Sequence, residues 1–410
     1  MTSGLEDFAV LDRPYLAVTN IPYYLDAGGV VLFERAWHHD LIQHLRYLPA
    51  FTLAAPLYPL PQDLSDLVPI DDGLRTRLKL VALPPSTSRW RAFMELPWAL
   101  RTLWRAVGQA DIVHTGIAGW PYPFGWLANP IARLRGKKIL MIVESAPWRA
   151  ACQDTAVSLR KRVEAAVYER LGRWWCSRAD LSFYTQPAYL DCFHDGGKGP
   201  AFVAPATWVN DEDILDEVQA RSLWDAKVQE PVHFLFAGRL VEEKGIEVLL
   251  EAVDKAAATG ARGALHVIGE GPLRDRVIAA QRSGSFSLKY FEPLPYGAPF
   301  LEFLQSHHAV VVPSLGDEQP RIIFDAAARA VPCLASATAG LRPYVEDGVS
   351  GGLFPPGDSA ALAAIMASWS SDTSLLRRLA MEALSRVRSK THRAMHAERS
   401  RILARCFGVG

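Results

Sequence analysis

The chain is organised around a stretch in which a short apolar run, residues 234–236, ends at Gly238 and gives way to a polar turn. Beyond the turn, apolar residues recur at the spacing of one helical face: Ile246, Leu249, Leu250 and Val253. This pattern predicts a strand, a turn and a helix, with Arg239 and Lys244 in the turn. Ligands of open α/β sheets bind where strands end and helices begin, so two cations there indicate an anionic ligand. Taken alone, they are equally typical of a solvated turn.

Apolar runs and helical segments alternate along the rest of the chain. In the first half, buried parallel strands are predicted at the apolar runs 14–20, 111–114, 138–144 and 181–185. Residues 30–47 predict a helix, and Gly28 and Gly29 just before it are typical either of an anion-binding helix N-terminus or of a plain turn. Alternation of this kind predicts an α/β fold with doubly wound sheets.

The length of 410 residues favours two domains. The pattern breaks after Pro205 and is followed by the acidic segment 210–217, which we interpret as a linker. We therefore predict an N-terminal Rossmann-like domain over residues 1–207, a C-terminal domain over residues 208–385 and a basic C-terminal helix over residues 386–410. The acidic triplet 211–213 also fits a metal-binding DxD motif, but its position in a linker favours a solvated loop.

Cysteine usage and hydropathy bound the cellular location. The five cysteines form no CxxC pair and are odd in number, which favours a reducing compartment and argues against structural zinc. The N-terminal residues lack the basic and apolar regions of a signal peptide, and no apolar run approaches the roughly 18 residues of a membrane span. We expect a cytoplasmic protein that is neither secreted nor membrane-spanning.

The net charge of zero hides a basic, tryptophan-rich stretch in the first half. Residues 73–178 contain 18 Lys and Arg against 6 Asp and Glu, and 8 of the 12 tryptophans. Aromatic rings beside cations suit the headgroup zone of an anionic membrane, whereas tryptophans in the core with arginines at its rim are the structural alternative. The residues predicted to contact a membrane or an acceptor there are Arg89, Trp90, Arg91, Trp98, Arg101, Trp104, Arg105, Trp174 and Trp175.

Two polar residues lie near predicted strand ends in the first half, His114 and Glu144. His114 is the better catalytic candidate of the two, although an isolated histidine at a strand end is as often structural.

The second half carries an ordered series of motifs: GRLVEEKG from Gly238, VIGEGP from Val267, VVVPS from Val310, AVPCLAS from Ala330 and VEDGVSGGLFPPGD from Val345. Two acids seven residues apart, Asp317 and Asp325, lie among them. Over roughly residues 230–360 these motifs resemble the donor domain of the retaining glycosyltransferases of family 4. The resemblance implies the GT-B fold, in which two Rossmann-like domains face each other across a cleft and the last helix crosses back to the first domain.

The resemblance also implies roles for individual residues. Arg239 and Lys244 match the pair that holds the donor diphosphate, Asp317 the acid at the donor sugar, and Asp325 the acid at the ribose. The loop 318–322 implies backbone contacts to sugar or phosphate, and the Gly269 to Gly271 turn passes beside the nucleobase. The implied catalytic residues are Arg239, Lys244 and His114. The implied donor-binding residues are Gly28, Gly29, Gly238, Arg239, Lys244, Gly269, Gly271, Asp317, Glu318, Arg321, Ile322 and Asp325.

Three departures from the family pattern stand out. Both motif acids are aspartates instead of the usual glutamates, the family's second histidine is replaced by Gly116, and Pro343 stands in the helix where an acid is common. Since side chains neutralise the diphosphate in such enzymes, we expect neither a cofactor nor a metal.

The resulting hypothesis is a retaining glycosyltransferase, peripheral on the inner face of the cytoplasmic membrane. It moves a sugar from a nucleotide-diphosphate donor, UDP-linked, to a glycolipid or polyprenyl-linked acceptor, and no nucleic acid is expected as a partner. Two alternatives stay open: a nucleotide-sugar epimerase or hydrolase of the same fold, and a catalytically silent nucleotide-sugar-binding subunit.

Overall fold

The computed structural model describes residues 8–64, 66–85, 87–149, 158–227 and 231–408. They divide into two compact units. The first comprises the chain up to Pro205 together with the segment from Arg393 onward, and the second runs from Ala206 to His392. The sequence had predicted boundaries after residues 207 and 385, and the structure places them after Pro205 and His392.

The first unit is built on a parallel sheet with helices on both faces. Its parallel strands lie in the order β10-β9-β8-β7-β1-β4-β6, and a smaller extension of β2, β3 and β5 continues from the end of β4. The strands are β1 (Tyr15–Val18), β2 (Tyr23–Leu25), β3 (Val31–Glu34), β4 (Phe51–Tyr58), β5 (Leu67–Pro69), β6 (Leu78–Leu83), β7 (Ile112–Thr115), β8 (Lys138–Val143), β9 (Leu181–Tyr184) and β10 (Ala201–Val203).

The helices of the first unit cover two separate hydrophobic cores, one on each face of the sheet. They are α1 (Arg35–Tyr47), α2 (Asp72–Arg77), α3 (Arg89–Met94), α4 (Leu96–Gly108), α5 (Gly125–Leu134), α6 (Leu159–Cys176), α7 (Pro187–Phe193) and, from the far end of the chain, α15 (His392–Phe407). Because successive strand residues point to opposite faces, Tyr15 joins the core under α1 and α15, whereas Leu16 joins the core under α4.

One element of the first unit differs from the sequence prediction. The single helix predicted over residues 30–47 is strand β3 followed directly by α1. Residues 30–33 are apolar throughout, so Val30 and Phe33 fit one face of a helix, whereas buried Val31 and Phe33, with partly exposed Leu32 between them, fit a strand. Pairing of β3 with β2 and β5 decides for the strand, and the spacing of apolar residues does not show that pairing.

The second unit contains a six-stranded parallel sheet in the order β13-β12-β11-β14-β15-β16. Its strands are β11 (His233–Ala237), β12 (Gly263–Ile268), β13 (Phe286–Phe291), β14 (Ala309–Val312), β15 (Cys333–Ser336) and β16 (Gly351–Phe354). Its helices are α8 (Glu217–Lys227), α9 (Ile246–Ala258), α10 (Arg274–Ala279), α11 (Ala298–Gln305), α12 (Ile322–Ala328), α13 (Ser359–Trp369) and α14 (Thr373–Val387). The predicted α/β class with two parallel sheets is confirmed.

The acidic triplet at the start of the second unit has a structural role. Residues Asp211–Asp213 form a short 3-10 helix, and the Asp213 carboxylate accepts hydrogen bonds from the backbone and side chain of Asn210. These bonds satisfy donors at the helix start as a capping box does.

Among the described residues, no helix combines the length and the apolar character needed to cross a membrane.

Candidate functional site

The stretch with two cations folds as the sequence predicts. Strand β11 ends at Ala237, residues Glu242–Lys244 form a 3-10 turn, and α9 begins at Ile246 with its predicted apolar face in the core. Gly245 joins turn to helix in the left-handed conformation, with φ of 72°. A Cβ atom at this position would lie 1.9 Å from the carbonyl oxygen of Pro313, so the approach of turn and β14 loop requires glycine.

A second glycine turn lies directly against the first loop. The backbone amide of Gly238 donates to the Ile268 carbonyl at 3.1 Å, and that of Leu240 donates to the Glu270 carbonyl at 2.8 Å. Gly269 has φ of 152°, and a Cβ there would stand 1.9 Å from the Gly238 carbonyl oxygen. Loops that are far apart in sequence are therefore joined backbone to backbone at the carboxyl ends of β11 and β12.

The third loop, residues 315–321, completes this edge of the sheet. The Leu315 amide donates to the Glu243 carbonyl at 2.9 Å, and the Lys244 ammonium lies 3.1 Å from a Glu318 carboxylate oxygen. Lys244 is mostly buried, whereas Arg239 on the neighbouring loop is exposed. The structure thus brings the predicted cation Lys244 and the loop after β14 together.

The same loop is tied to the start of the second unit by one side chain. The Gln319 amide accepts from the Ala206 backbone N–H at 2.9 Å and donates to the Ala206 carbonyl at 3.0 Å. Behind the loop, a Cβ on Gly340 would fall 2.2 Å from the Glu318 carbonyl oxygen, so the segment after β15 also packs tightly on it. These contacts on both sides fix the backbone of residues 317–319.

Asp325, on α12, is buried and accepts a hydrogen bond of 2.9 Å from the Tyr296 hydroxyl. Burial raises the pKa of this carboxyl to about 7. The Tyr296 hydrogen bond and the charge of Arg321 act in the opposite direction, while nearby Asp213 raises the pKa further. Asp325 therefore changes its charge close to neutral pH.

Two aromatic residues that the sequence analysis did not select lie in this part of the unit, Tyr296 at Asp325 and Trp208 at Arg321. Tyr296 packs against Trp208 with ring centroids 5.9 Å apart, and the Arg321 guanidinium lies 3.4 Å from the centroid of the Trp208 ring. Such a cation over a tryptophan face is attractive and holds the guanidinium in place. Neither aromatic residue belongs to a motif, so only tertiary proximity identifies them.

Gly28 and Gly29 do not lie at a helix N-terminus, contrary to the sequence prediction. They form the exposed turn between β2 and β3, where the Asp26 carboxylate accepts from the Gly28 and Val30 amides at 2.8 Å each. Strand β3 separates this turn from α1, so the helix-terminus argument for an anion no longer applies.

His114 lies on β7 and lines a cavity of about 320 Å3 within the first unit, whose lining mixes apolar and polar side chains. Its ring packs against Tyr15 and His44, with centroid distances of 5.9 and 6.3 Å. Burial lowers the pKa of His114 to about 3, and the neighbouring His44 and Arg399 act in the same direction, so the imidazole is neutral at neutral pH. Further polar residues of this cavity, which sequence analysis did not associate with His114, are Asn20, Asp40, His44 and Arg399.

The tryptophan-rich stretch is largely a surface. Trp90 is 72% exposed, Trp98 47%, Trp104 43% and Trp174 44%, whereas Trp175 is only 6% exposed and belongs to the core. The prediction of a surface contact is therefore wrong for Trp175, whose ring packs in the core beneath α6. The predicted arginines Arg89, Arg91, Arg101 and Arg105 are all exposed on α3 and α4.

A groove of about 670 Å3 lies between α3 and α6 and is lined by Arg89 and Phe93, on the same short helix as Trp90. Its walls are mostly apolar or aromatic, with Phe93, Trp126 and Val163 among them. Arg89 on α3 and Glu164 on α6 form an ion pair of 2.6 Å at its edge.

Comparison with known proteins finds a family match within the second unit. Residues 231–372 match the family model described as glycosyl transferases group 1. The chain is 30% identical over 149 residues to the amylovoran biosynthesis glycosyltransferase AmsK of Erwinia amylovora. This alignment covers 34% of this chain and 36% of that protein. The curated relatives are thus matched over about a third of their own length.

Solved structures extend the likeness to the whole fold. The sucrose-phosphate synthase of Thermosynechococcus elongatus superposes with a TM-score of 0.69 at 18% identity, over 97% of this chain and all of that one. The Anabaena protein HepE, solved in complex with UDP-glucose, superposes with a TM-score of 0.63 at 14% identity, over 95% of this chain and 99% of that one.

Substitutions at Gly245, just before α9, and at Gly260, just after it, distinguish backbone strain from steric collision. Both have a left-handed φ, of 72° and 82°, but only Gly245 has an atom within 4 Å of an added Cβ. We expect Gly245→Ala to lower the free energy of unfolding by more than about 3 kcal/mol, and Gly260→Ala by about 1 kcal/mol. Urea unfolding of both variants measures the difference. Equal losses would mean that the turn relaxes away from Pro313.

Proposed function

We propose that this protein transfers a sugar from a nucleotide donor to a membrane-associated acceptor. The starting point is the match of residues 231–372 to the glycosyl transferases group 1. The donor is bound by the second unit and the acceptor by the first. The observation that carries the proposal is the meeting of three loops at the carboxyl ends of β11, β12 and β14, with Arg239 and Lys244 among them.

The two cations suit the chemistry of a departing nucleoside diphosphate. As the glycosidic bond breaks, negative charge builds up on the leaving phosphate, and fixed cations stabilise that charge more than the charge of the ground state. Lys244 already pairs with Glu318, so its ammonium is held at the loop edge before a donor binds. A diphosphate takes the place of the Glu318 carboxylate as its counter-ion.

The donor is UDP-linked. Support comes from HepE, which shares the fold and was solved with UDP-glucose. Asp325 binds the ribose hydroxyls, and the turn from Gly269 to Gly271 passes beside the base. Asp317, on the loop braced by Gln319 and Gly340, contacts the donor sugar.

Transfer proceeds with retention and without a metal at the diphosphate. The acceptor hydroxyl attacks the anomeric carbon on the face from which the diphosphate departs, and the leaving phosphate oxygen takes the hydroxyl proton. His114, neutral at neutral pH, accepts or donates a hydrogen bond in the cavity that it lines without adding charge.

The acceptor is a glycolipid or a polyprenyl-linked saccharide at the inner face of the cytoplasmic membrane. The exposed tryptophans on α3 and α4 are apolar rings with a polar N–H, a combination favoured at a membrane interface. The arginines between them attract anionic headgroups, each by about 1 kcal/mol. The adjoining groove offers apolar walls for the acceptor's hydrocarbon chain.

Removal of either cation tests the diphosphate site. We expect Arg239→Ala and Lys244→Ala each to reduce kcat/KM for sugar transfer by at least tenfold, because a charge-assisted hydrogen bond contributes about 1.5–3 kcal/mol. Arg276→Ala, which removes an exposed cation paired with Glu247 on the same unit, is the matched control and should transfer normally. Turnover near the wild-type value in either site variant contradicts the assignment.

The pH dependence of UDP binding tests Asp325. If the ionised carboxylate accepts the ribose hydroxyls, UDP affinity rises as pH increases through about 7, where Asp325 loses its proton. Tyr296→Phe removes a hydrogen bond that favours the carboxylate, so the rise should move to higher pH. Asp325→Asn should retain only the titration of the UDP phosphate, with a pKa of about 6. Calorimetric titrations from pH 6 to 9 distinguish these curves, and identical curves for wild type and Tyr296→Phe refute the role.

The surface of α3 and α4 makes a prediction about lipid binding. The protein should sediment with vesicles containing an anionic phospholipid, and sedimentation should fall at high salt. Arg101→Gln with Arg105→Gln should weaken binding about 30-fold, since two cations contribute about 2 kcal/mol. Trp90→Ala with Trp98→Ala should also weaken it. Val10→Ala is the control, because that side chain is 61% exposed and its neighbours Phe8 and Leu11 pack on the opposite face of the sheet from α4. Binding that ignores salt and all four site substitutions contradicts the surface.

A further inference from the structure

A second cluster of chemically active side chains lies in the first unit, where α1 meets the C-terminal helix α15. Asp40 and His44 are one turn apart on α1, and His396 comes from α15. One Asp40 oxygen lies 3.1 Å from His44 Nδ1, and the other lies 3.0 Å from His396 Nε2. The ligand atoms of the three residues all lie within 4.8 Å of one another.

The cluster is buried. The side chains of His396, His44 and Asp40 are 0%, 4% and 16% exposed. A carboxylate with so little access to water needs a positive partner or several hydrogen bonds. Two imidazoles and one carboxylate around one point are also a donor set that divalent transition metals prefer, zinc among them.

The next layer of contacts suits a metal ligand at His396. Its other ring nitrogen, Nδ1, lies 3.0 Å from the Tyr47 hydroxyl. Histidines that bind a metal usually engage the second nitrogen in such a hydrogen bond, which fixes the ring and its tautomer. His44 Nδ1 lies in addition 3.1 Å from the Asp40 backbone carbonyl, a contact that suits a protonated nitrogen and that has to open when this nitrogen binds an ion. When an ion binds, the proton on each ligating nitrogen moves to the other nitrogen of the same ring, so the two imidazoles stay neutral.

We propose that Asp40, His44 and His396 bind a divalent transition-metal ion of the zinc class. In a tetrahedral site, bonds of about 2.0–2.2 Å place two ligand atoms about 3.3–3.6 Å apart. A separation of up to 4.8 Å therefore has to shrink by a little over an ångström, which two side chains can share. Asp40 and His44 also line the 320 Å3 cavity that contains His114. The three protein ligands leave a fourth position for water on that side. This site belongs to the first unit, whereas the donor diphosphate is assigned to the second unit, where we propose no metal.

The charges around the cluster limit its affinity. Arg399, on the same helix as His396, is buried and lines the cavity, and its positive charge opposes a second cation. Asp40 and, across the cavity, Glu144 act the other way. The alternative is a metal-free network in which both imidazoles donate their N–H groups to Asp40 and Arg399 offsets its charge.

Occupation of the site clamps α15 onto α1. Since α15 enters the first unit at Arg393, an ion held by His396 lies within one turn of the point where the chain crosses from the second unit. The ion thus adds a bond between the two ends of the sequence.

The experiment titrates the chelator-treated full chain with Zn2+ and, separately, with Co2+, whose visible absorption reports the ligand geometry. One ion per chain, a tetrahedral Co2+ spectrum and a raised Tm are expected. Asp40→Asn and His396→Gln should each weaken Zn2+ binding at least tenfold, because each removes one of three protein ligands. His39→Gln, on the same helix outside the cluster, is the control and should bind normally.

Several outcomes overturn the proposal. They are the absence of saturable Zn2+ binding at micromolar concentration, an octahedral Co2+ spectrum typical of surface carboxylates, and unchanged affinity in Asp40→Asn. Should His396→Gln fail to fold, the Co2+ spectrum of the wild type and the isosteric Asp40→Asn decide the question. Failure of sugar transfer with intact Zn2+ binding, or the reverse, separates this proposal from the function assigned above.

Discussion

The second unit depends on backbone approaching backbone at the carboxyl edge of its sheet. Gly269 meets the Gly238 carbonyl, Gly245 meets the Pro313 carbonyl and Gly340 meets the Glu318 carbonyl, each at a distance that leaves no room for a Cβ atom. Three loops that follow different strands are therefore in direct contact. Polar side chains on one loop lie close to those on the next. A site assembled in this way is ordered before any ligand arrives, which reduces the entropy lost on binding.

The strand, turn and helix around Lys244 are predictable from the sequence because the features that specify them are local. A glycine after an apolar run, a cation in a polar turn and an apolar face at helical spacing all lie within one short stretch of sequence. Together they predict the elements that carry Lys244. Tyr296 and Trp208 belong to no motif. They matter because α12 presents Asp325 to Tyr296 and because Arg321 lies over Trp208, relations that no short window of sequence contains.

The first unit shows the limits of periodicity more plainly. The apolar run 30–33 fits a helical face through Val30 and Phe33 and a strand through Val31 and Phe33, and pairing with β2 and β5 decides for the strand. Composition identified the Trp-rich stretch as unusual, but Trp174 and its neighbour Trp175 differ in exposure because adjacent residues on a helix point in different directions. Asp40, His44 and His396 lay beyond reach of any pattern, since His396 follows them by more than 350 residues.

The membership of α15 in the first unit has a consequence for how the protein is made. Ala397, Ile402, Leu403 and Phe407 belong to the same hydrophobic core as Phe8, Tyr15 and Phe51. During synthesis that core stays open until residues near 407 leave the ribosome, whereas the second unit already has every strand of its sheet. The half that begins first is therefore completed last, and its exposed apolar face is the surface that chaperones meet in the meantime.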